Sequence, residues 1–337
     1  LAGRPRAVVL VPNRELANQV LKVAKKVCHS AKLRCGVVSG GETVSQQRST
    51  FGAPVDILIA TPGRLIQHVE RKRIFFSKVS HVVMDEVDML LDDMEGGFAQ
   101  DVFRVVDNIK NRVEQTKEQL KVVCCGATLT RTLLSLIDSK FPNIHHILSP
   151  TLHKSVAKLE QYWIPVAADK QAKLLELLHR EYPLDGAAPE TKKIKRTIIF
   201  CNTINSCRYL DHTLRERGFE TVSYHGEIPV DQRARNFAEF SEGISTILVC
   251  TDIASRGLDF VSVDHVVLFD FPLNSIDYLH RIGRTARGGK SGKVTNFVMK
   301  RDLVLSDAIR DAIHRGKSLE SLSASDVENQ AARRGTL

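Results

Sequence analysis

The 337 residues contain no apolar run long enough to span a bilayer, which removes membrane-embedded readings, and no membrane partner is expected. Seven cysteines (Cys28, Cys35, Cys124, Cys125, Cys201, Cys207, Cys250) form no CxxC pair, and several sit in apolar strand-like runs. Zinc ligation and a disulfide framework are therefore poor readings, and a reducing intracellular compartment fits better. Aromatic residues are only 6% of the chain and do not cluster in the motifs described below, so a base-stacking platform for single strands is not supported. A phosphate-cradling GxxxxGK[ST] loop is missing as well. Gly289-Lys290-Ser291 would need glycine where Arg284 stands, and Gly316-Lys317-Ser318 would need it where Asp311 stands. The net charge of +9 favours a polyanionic partner, although a solvated basic surface gives the same number.

What is present has the organisation of two domains. The length is about twice that of a typical domain. Short β-branched runs at 7–11, 34–38, 55–60, 81–85 and 121–125 alternate with amphipathic stretches such as 15–26 and 97–109. A second set at 196–200, 221–224, 246–251, 265–269 and 293–298 alternates with stretches such as 206–217 and 231–240. Strand alternating with helix means parallel α/β units. The expected division is a first domain over 1–150, a second over 151–322 and a polar tail over 323–337, with the boundary in the turn 149–161 and an exposed Lys-rich loop at 182–195. The chain opens on Leu1, and residues 1–12 read as a strand in mid-domain, so an upstream segment is expected.

The run His81-Val-Val-Met-Asp85-Glu86-Val87-Asp88 places carboxylates at the carboxyl end of a buried strand, where open parallel sheets bind ligands. Phosphoryl transfer needs an anionic oxygen near Mg²⁺, held through coordinated water, and a second carboxylate that orients or deprotonates the attacking water. Asp85 suits the first role, which makes it the expected metal residue, and Glu86 suits the second. Taken alone, the same acids could simply favour a helix N-terminus through its dipole.

They are not alone. The first half also carries Pro12-Asn13-Arg14-Glu15-Leu16-Ala17, Gly40-Gly41, Thr61-Pro62-Gly63-Arg64 and Gly126-Ala127-Thr128. The second carries Ile199-Phe200-Cys201-Asn202-Thr203, His225-Gly226, Gln232-Arg233-Ala234-Arg235, Thr251-Asp252-Ile253-Ala254-Ser255-Arg256-Gly257-Leu258-Asp259 and His280-Arg281-Ile282-Gly283-Arg284-Thr285-Ala286-Arg287. In this order and spacing, over nearly the whole chain, the series resembles the DEAD-box ATP-dependent RNA helicase family. The resemblance implies two tandem RecA-like domains, each a mostly parallel sheet flanked by helices, with ATP, Mg²⁺ and RNA as ligands in their cleft.

In a helix, His280, Arg284 and Arg287 would fall at i, i+4 and i+7 on one face, and two guanidiniums there could stabilise charge developing on a γ-phosphate. Read alone, this stretch could equally be a solvated basic face. The matching family residues make Arg284 and Arg287 catalytic together with Asp85 and Glu86, and put Asp88, Gly257, Asp259 and His280 at the nucleotide. Small, hydroxyl and arginine residues whose backbones can approach phosphates are the RNA candidates: Pro12, Arg14, Gly41, Thr61, Gly63, Arg64, Gly226 and Thr251. Contacts of this kind are sequence-independent. Gly126, Ala127 and Thr128 match the segment that couples the nucleotide to domain closure.

Three positions depart from the family pattern: Asn13 for the usual Thr, Val87 for Ala, and Gly126 for Ser. The missing phosphate loop implies that the 337 residues alone would not hydrolyse ATP. The expected function is an ATP-dependent RNA helicase or RNP remodeller, with ribosomal RNA and ribosome-assembly proteins as expected partners, in the nucleolus or in a mitochondrion or other organelle. The alternative is a catalytically idle RNA-binding scaffold in a large assembly.

Overall fold

Each β-branched run buries alternate or successive side chains against flanking helices and so becomes a strand. The computed structural model describes residues 3–41, 47, 52–91, 98–116, 119–156, 158–167, 169–182, 196–254, 263–320 and 322. Two compact units are present, Leu1–His146 and Ile147–Leu337. Most of the loop expected at 182–195 and the tail at 323–337 lie outside the described residues.

In the first unit, β1 (Ala7–Leu10), β2 (Cys35–Val38), β3 (Ile57–Ala60), β4 (His81–Met84) and β5 (Lys121–Cys124) form one sheet in the order β2-β3-β1-β4-β5. All its pairings are parallel. Helices α1 (Arg14–Ala31), α2 (Pro62–Glu70), α3 (Val87–Leu90), α4 (Phe98–Thr116) and α5 (Arg131–Lys140) connect the strands. The core gathers Val8, Leu10, Leu58, Val82 and Met84 from the sheet with Leu65, Val102 and Val106 from the helices. Each fully buried side chain of this type contributes about 1.5–3 kcal/mol.

The second unit pairs β6 (Leu159–Pro165), β7 (Thr197–Phe200), β8 (Thr221–Tyr224), β9 (Ile247–Cys250), β10 (His265–Leu268) and β11 (Gly292–Val298) in the order β6-β11-β10-β7-β9-β8, again all parallel. Its helices are α6 (Lys170–Glu181), α7 (Ile204–Glu216), α8 (Val230–Glu242), α9 (Ser275–Ile282) and α10 (Leu303–His314). Strands β7 to β10 are buried at every residue, as a parallel sheet covered on both faces requires.

Two features of this sheet are built by side chains. At the β8 edge, the Tyr224 carbonyl faces inward and accepts from Thr251 N at 3.2 Å, so the carbonyls one residue earlier and three residues earlier face outward. Both are covered by side chains. Arg215 Nη2 donates to Thr221 O at 2.8 Å, and Asn236 Nδ2 donates to Ser223 O at 2.8 Å. Inside, buried Glu181 meets Lys293 Nζ at 2.5 Å and His265 Nδ1 at 2.7 Å. Burial works against ionisation of Glu181, but hydrogen bonds and charge from His265 and Lys293 outweigh it and hold the carboxyl at about 2. Among the described residues, no helix is long and apolar enough to cross a membrane.

Candidate functional site

Because every described strand pairing of the first unit is parallel, the sequence motifs that follow the strands all emerge at one edge of its sheet. Across that edge the order is Gly41 after β2, Thr61, Gly63 and Arg64 after β3, Pro12 and Arg14 after β1, Asp85 and Glu86 after β4, and Gly126, Ala127 and Thr128 after β5. The small, hydroxyl and arginine residues thus occupy one half of the edge, and the acidic and coupling residues the other. Backbone hydrogen bonds carry the ladder into these segments: Thr61 N to Val38 O at 3.1 Å, Asp85 N to Leu10 O at 3.0 Å and Cys125 N to Met84 O at 2.8 Å.

Local chemistry explains each turn. Asn13 caps α1 by accepting the Leu16 amide at 2.8 Å, a role that threonine fills equally, so this departure keeps its function. Thr61 is extended, as the residue before a proline prefers, and Pro62 opens α2. The first turn of α2 therefore presents backbone amides beside Thr61, Gly63 and Arg64, a setting that favours phosphate. A β-carbon on Gly63 would stand 2.9 Å from Asp101 Oδ2, and one on Gly41, at φ 88°, would collide with the Arg14 guanidinium. A side chain at either position would have to displace the end of the Asp101 or Arg14 side chain, and at Gly41 the positive φ adds strain; Arg14 and Gly41 are in contact.

The acidic turn is strained. Glu86 adopts φ 52° and ψ 54°, left-handed values that cost a non-glycine residue about 1 kcal/mol or more. This bend turns the chain from β4 into α3 and sets Glu86 beside Asp85, whose Oδ1 accepts the Glu86 amide at 3.1 Å. Asp88 faces the segment after β5. Its Oδ2 accepts the Thr128 amide at 2.9 Å and the Thr128 hydroxyl at 2.5 Å, while Val87 N donates to Cys125 O at 2.8 Å. Burial, and then the Asp85 charge, push the Cys125 thiol up, so this exposed cysteine is a poor thiolate.

In the second unit, Gly226 follows β8 and Thr251 follows β9, its neighbour, so these two RNA candidates are side by side. Among the described residues, its chain neighbours aside, no heavy atom lies within 4 Å of where a Gly226 β-carbon would sit. The expectation that His280, Arg284 and Arg287 line one helix face needs correction. Helix α9 stops at Ile282, Ala286 is left-handed at φ 56°, and Arg287 opens a short 3-10 turn. The cause is Thr285, whose hydroxyl donates to Val263 O at 2.5 Å and draws the chain off the helix axis into a bridge with Val263. The arginines still fold back on α9. Arg284 Nε reaches His280 O at 3.4 Å, Arg287 Nε reaches Gly283 O at 2.8 Å, and Arg284 is 8% exposed. Gly257 and Asp259 lie outside the described residues.

Sequence reasoning missed the residue that anchors this helix. Arg281, 1% exposed, donates from Nε and Nη2 to the two carboxylate oxygens of Asp252, both at 2.6 Å, from Nη2 to Asn202 Oδ1 at 2.7 Å and from Nη1 to Asp270 O at 2.8 Å. It ties α9 to the segments after β7, β9 and β10. The available signal was its place between Tyr278 and Ile282 on the apolar face of α9. Hard carboxylate oxygens on Asp85 suit magnesium, which takes one or two carboxylates with water and phosphate rather than a protein cage. Among the described residues, no group of three or more His, Cys, Asp or Glu side chains is placed to hold a metal ion.

With this geometry in hand, comparison with known proteins gives a consistent answer. Residues 1–136 match a family model described as DEAD/DEAH box helicase, and residues 169–289 match one described as helicase conserved C-terminal domain. DEAD-box ATP-dependent RNA helicase 39 of Arabidopsis thaliana is 41% identical over 335 residues, covering 98% of this chain and 52% of that protein. ATP-dependent RNA helicase RhlB of Psychromonas ingrahamii is 33% identical, covering 92% of this chain and 70% of that protein. The chain spans about half the length of the curated relatives it matches first. A solved structure of S. cerevisiae Dbp5 bound to RNA and ADP BeF3 shares the fold at TM-score 0.79 and 24% identity, covering 100% of this chain and 82% of that one.

Proposed function

Since the chain belongs to the DEAD/DEAH box helicase family, we propose that it forms the RNA-clamping and ATP-hydrolysing part of an ATP-dependent RNA helicase or RNP remodeller. The observation that carries this reading is the order of residues along the first sheet's edge. Hard acids and their coupling loop stand on β4 and β5, and phosphate-compatible residues stand on β2, β3 and β1.

In this reading, ATP with magnesium supplies the labile phosphoanhydride and the charge neutralisation. The chain's own residues do the rest. Asp85 would hold the magnesium, and Glu86, set beside it by the left-handed turn, would orient the attacking water and take its proton. Arg284 and Arg287 of the second unit oppose developing negative charge, and Asp88 reports on the nucleotide through Thr128. His280, Gly257 and Asp259 complete the nucleotide contacts. Pro12, Arg14, Gly41, Thr61, Gly63, Arg64, Gly226 and Thr251 hold the RNA backbone, so affinity falls with salt and ignores base sequence. This reading requires a phosphate cradle, and no GxxxxGK[ST] occurs in the 337 residues.

The test uses full-length protein. Glu86→Gln should keep ATP binding while RNA-stimulated phosphate release drops by about 10²-fold or more. Undiminished release would remove Glu86 from its role, and no RNA-stimulated release from the natural protein would favour the idle scaffold.

A further inference from the structure

Two of the departures from the family pattern, Val87 and Gly126, are far apart in sequence but touch in space. A β-carbon built on Gly126 would stand 3.1 Å from Val87 Cγ1, 3.3 Å from Leu129 Cδ2 and 3.5 Å from Asp88 Oδ1. Ordinary carbon contacts begin near 3.5 Å, so the neighbours would have to give way. Val87 has little freedom to do so. It is fully buried in the first unit's core, and its amide is tied to Cys125 O at 2.8 Å. Alanine at 87 would lack the methyl that makes the 3.1 Å contact. The larger residue at 87 and the missing side chain at 126 are therefore complementary, a methyl from one strand's turn filling the place of a side chain on the other.

The contact matters because of what stands beside it. Asp88 follows Val87 directly, and Thr128 lies two residues beyond Gly126. The Asp88 carboxylate accepts the Thr128 amide and hydroxyl on Oδ2 and the Met89 amide at 3.2 Å on Oδ1. A shift of the Val87 backbone that makes room at 126 would turn the first residue of α3 and move Asp88 against Thr128.

We propose that Val87 is a positioning residue, paired with Gly126, that sets how Asp88 meets Thr128 by filling the volume a side chain at 126 would need. The effect of a substitution at 126 then depends first on residue 87, which makes the tightest contact, and restoring a serine at 126 alone disturbs the loop instead of repairing it. The kinetic part rests on the helicase reading; the packing part does not.

The experiment is a double-mutant cycle in full-length protein, with Gly126→Ser and Gly126→Ala each made in the natural and the Val87→Ala backgrounds. With Val87 present, both changes should lower the melting temperature by roughly 3 °C or more, because serine and alanine share the offending β-carbon. In the Val87→Ala background, the same changes should lower it by no more than about half as much, the Leu129 contact at 3.3 Å being the one that remains. Equal shifts in the two backgrounds overturn the pairing. For RNA-stimulated ATP hydrolysis well below the melting temperature, Val87→Ala should lower kcat about three-fold or more with KM for ATP unchanged, and V87A/G126S should return kcat to within about two-fold of natural. A coupled melting cycle with one kcat for all variants overturns the positioning role. If the natural protein shows no RNA-stimulated hydrolysis, the helicase reading fails while the melting cycle still decides the pairing.

Discussion

Replacing Arg281 with methionine should cost the second unit more than any loss at the arginines beside it. The guanidinium is almost wholly buried and makes four hydrogen bonds at 2.6–2.8 Å, two of them to one carboxylate. Breaking a buried pair by removing one partner costs about 3–5 kcal/mol, since the remaining charge loses its compensation. The Asp252 side chain is 33% exposed, so water recovers part of that and the lower end, about 3 kcal/mol, applies. For a unit of this size, about 3 kcal/mol lowers the melting temperature by roughly 6–12 °C. Arg281→Lys keeps the charge but cannot offer a planar fork to three acceptor groups, and should lose about half as much. R281M/D252N, which removes both charges, should recover several degrees over Arg281→Met. Circular dichroism melts of full-length protein give all three values. A shift below about 2 °C for Arg281→Met, or a silent Arg281→Lys, would show that the network is not what holds α9.

Three other outcomes follow from the same coordinates. Gly292→Ala should destabilise by about 1–3 kcal/mol and reduce ATP hydrolysis, because its β-carbon would stand 2.6 Å from Ala286 N and collide with Thr285, displacing the arginine turn; a melt and an ATPase assay check both. Gly226→Ala should leave the melting temperature unchanged, since its surroundings are open, yet weaken RNA binding by anisotropy; unaltered affinity would take Gly226 off the RNA track. Glu181 has its folded pKa depressed from 4.5 to about 2, so its contribution is complete above pH 4.5 and is lost as pH falls toward 2. That contribution is about 3 kcal/mol, and Glu181→Gln should flatten acid unfolding over this window; an unchanged acid midpoint would refute the assignment.

Much of this was legible in the sequence, and the exceptions are physical. Strands such as Thr197–Phe200 and Ile247–Cys250 stood out because both faces of a parallel sheet are covered, leaving unbroken apolar or β-branched runs. β6 was harder. It lies at a sheet edge with alternating exposure, so it lacks the unbroken apolar run that marks the buried strands. The end of α9 was misread because a three-dimensional bond, Thr285 to Val263 O, overrides a helical spacing that is real in the sequence. Arg281 was overlooked because charge ordinarily signals surface, whereas its acceptors come from three separate segments. The pairing of Val87 with Gly126 depends on a contact between turns 39 residues apart, which spacing alone does not reveal.

The covered carbonyls of β8 bear on how this protein can be recruited. An extended peptide that recognises a domain by joining its sheet needs a row of acceptors, and Arg215 and Asn236 already occupy the ones that β8 turns outward. A binder approaching from that side must therefore read side chains, and its grip will respond to mutation residue by residue. The same occlusion keeps a second copy from stacking there, so crowded or refolding protein has one fewer place to begin a fibril.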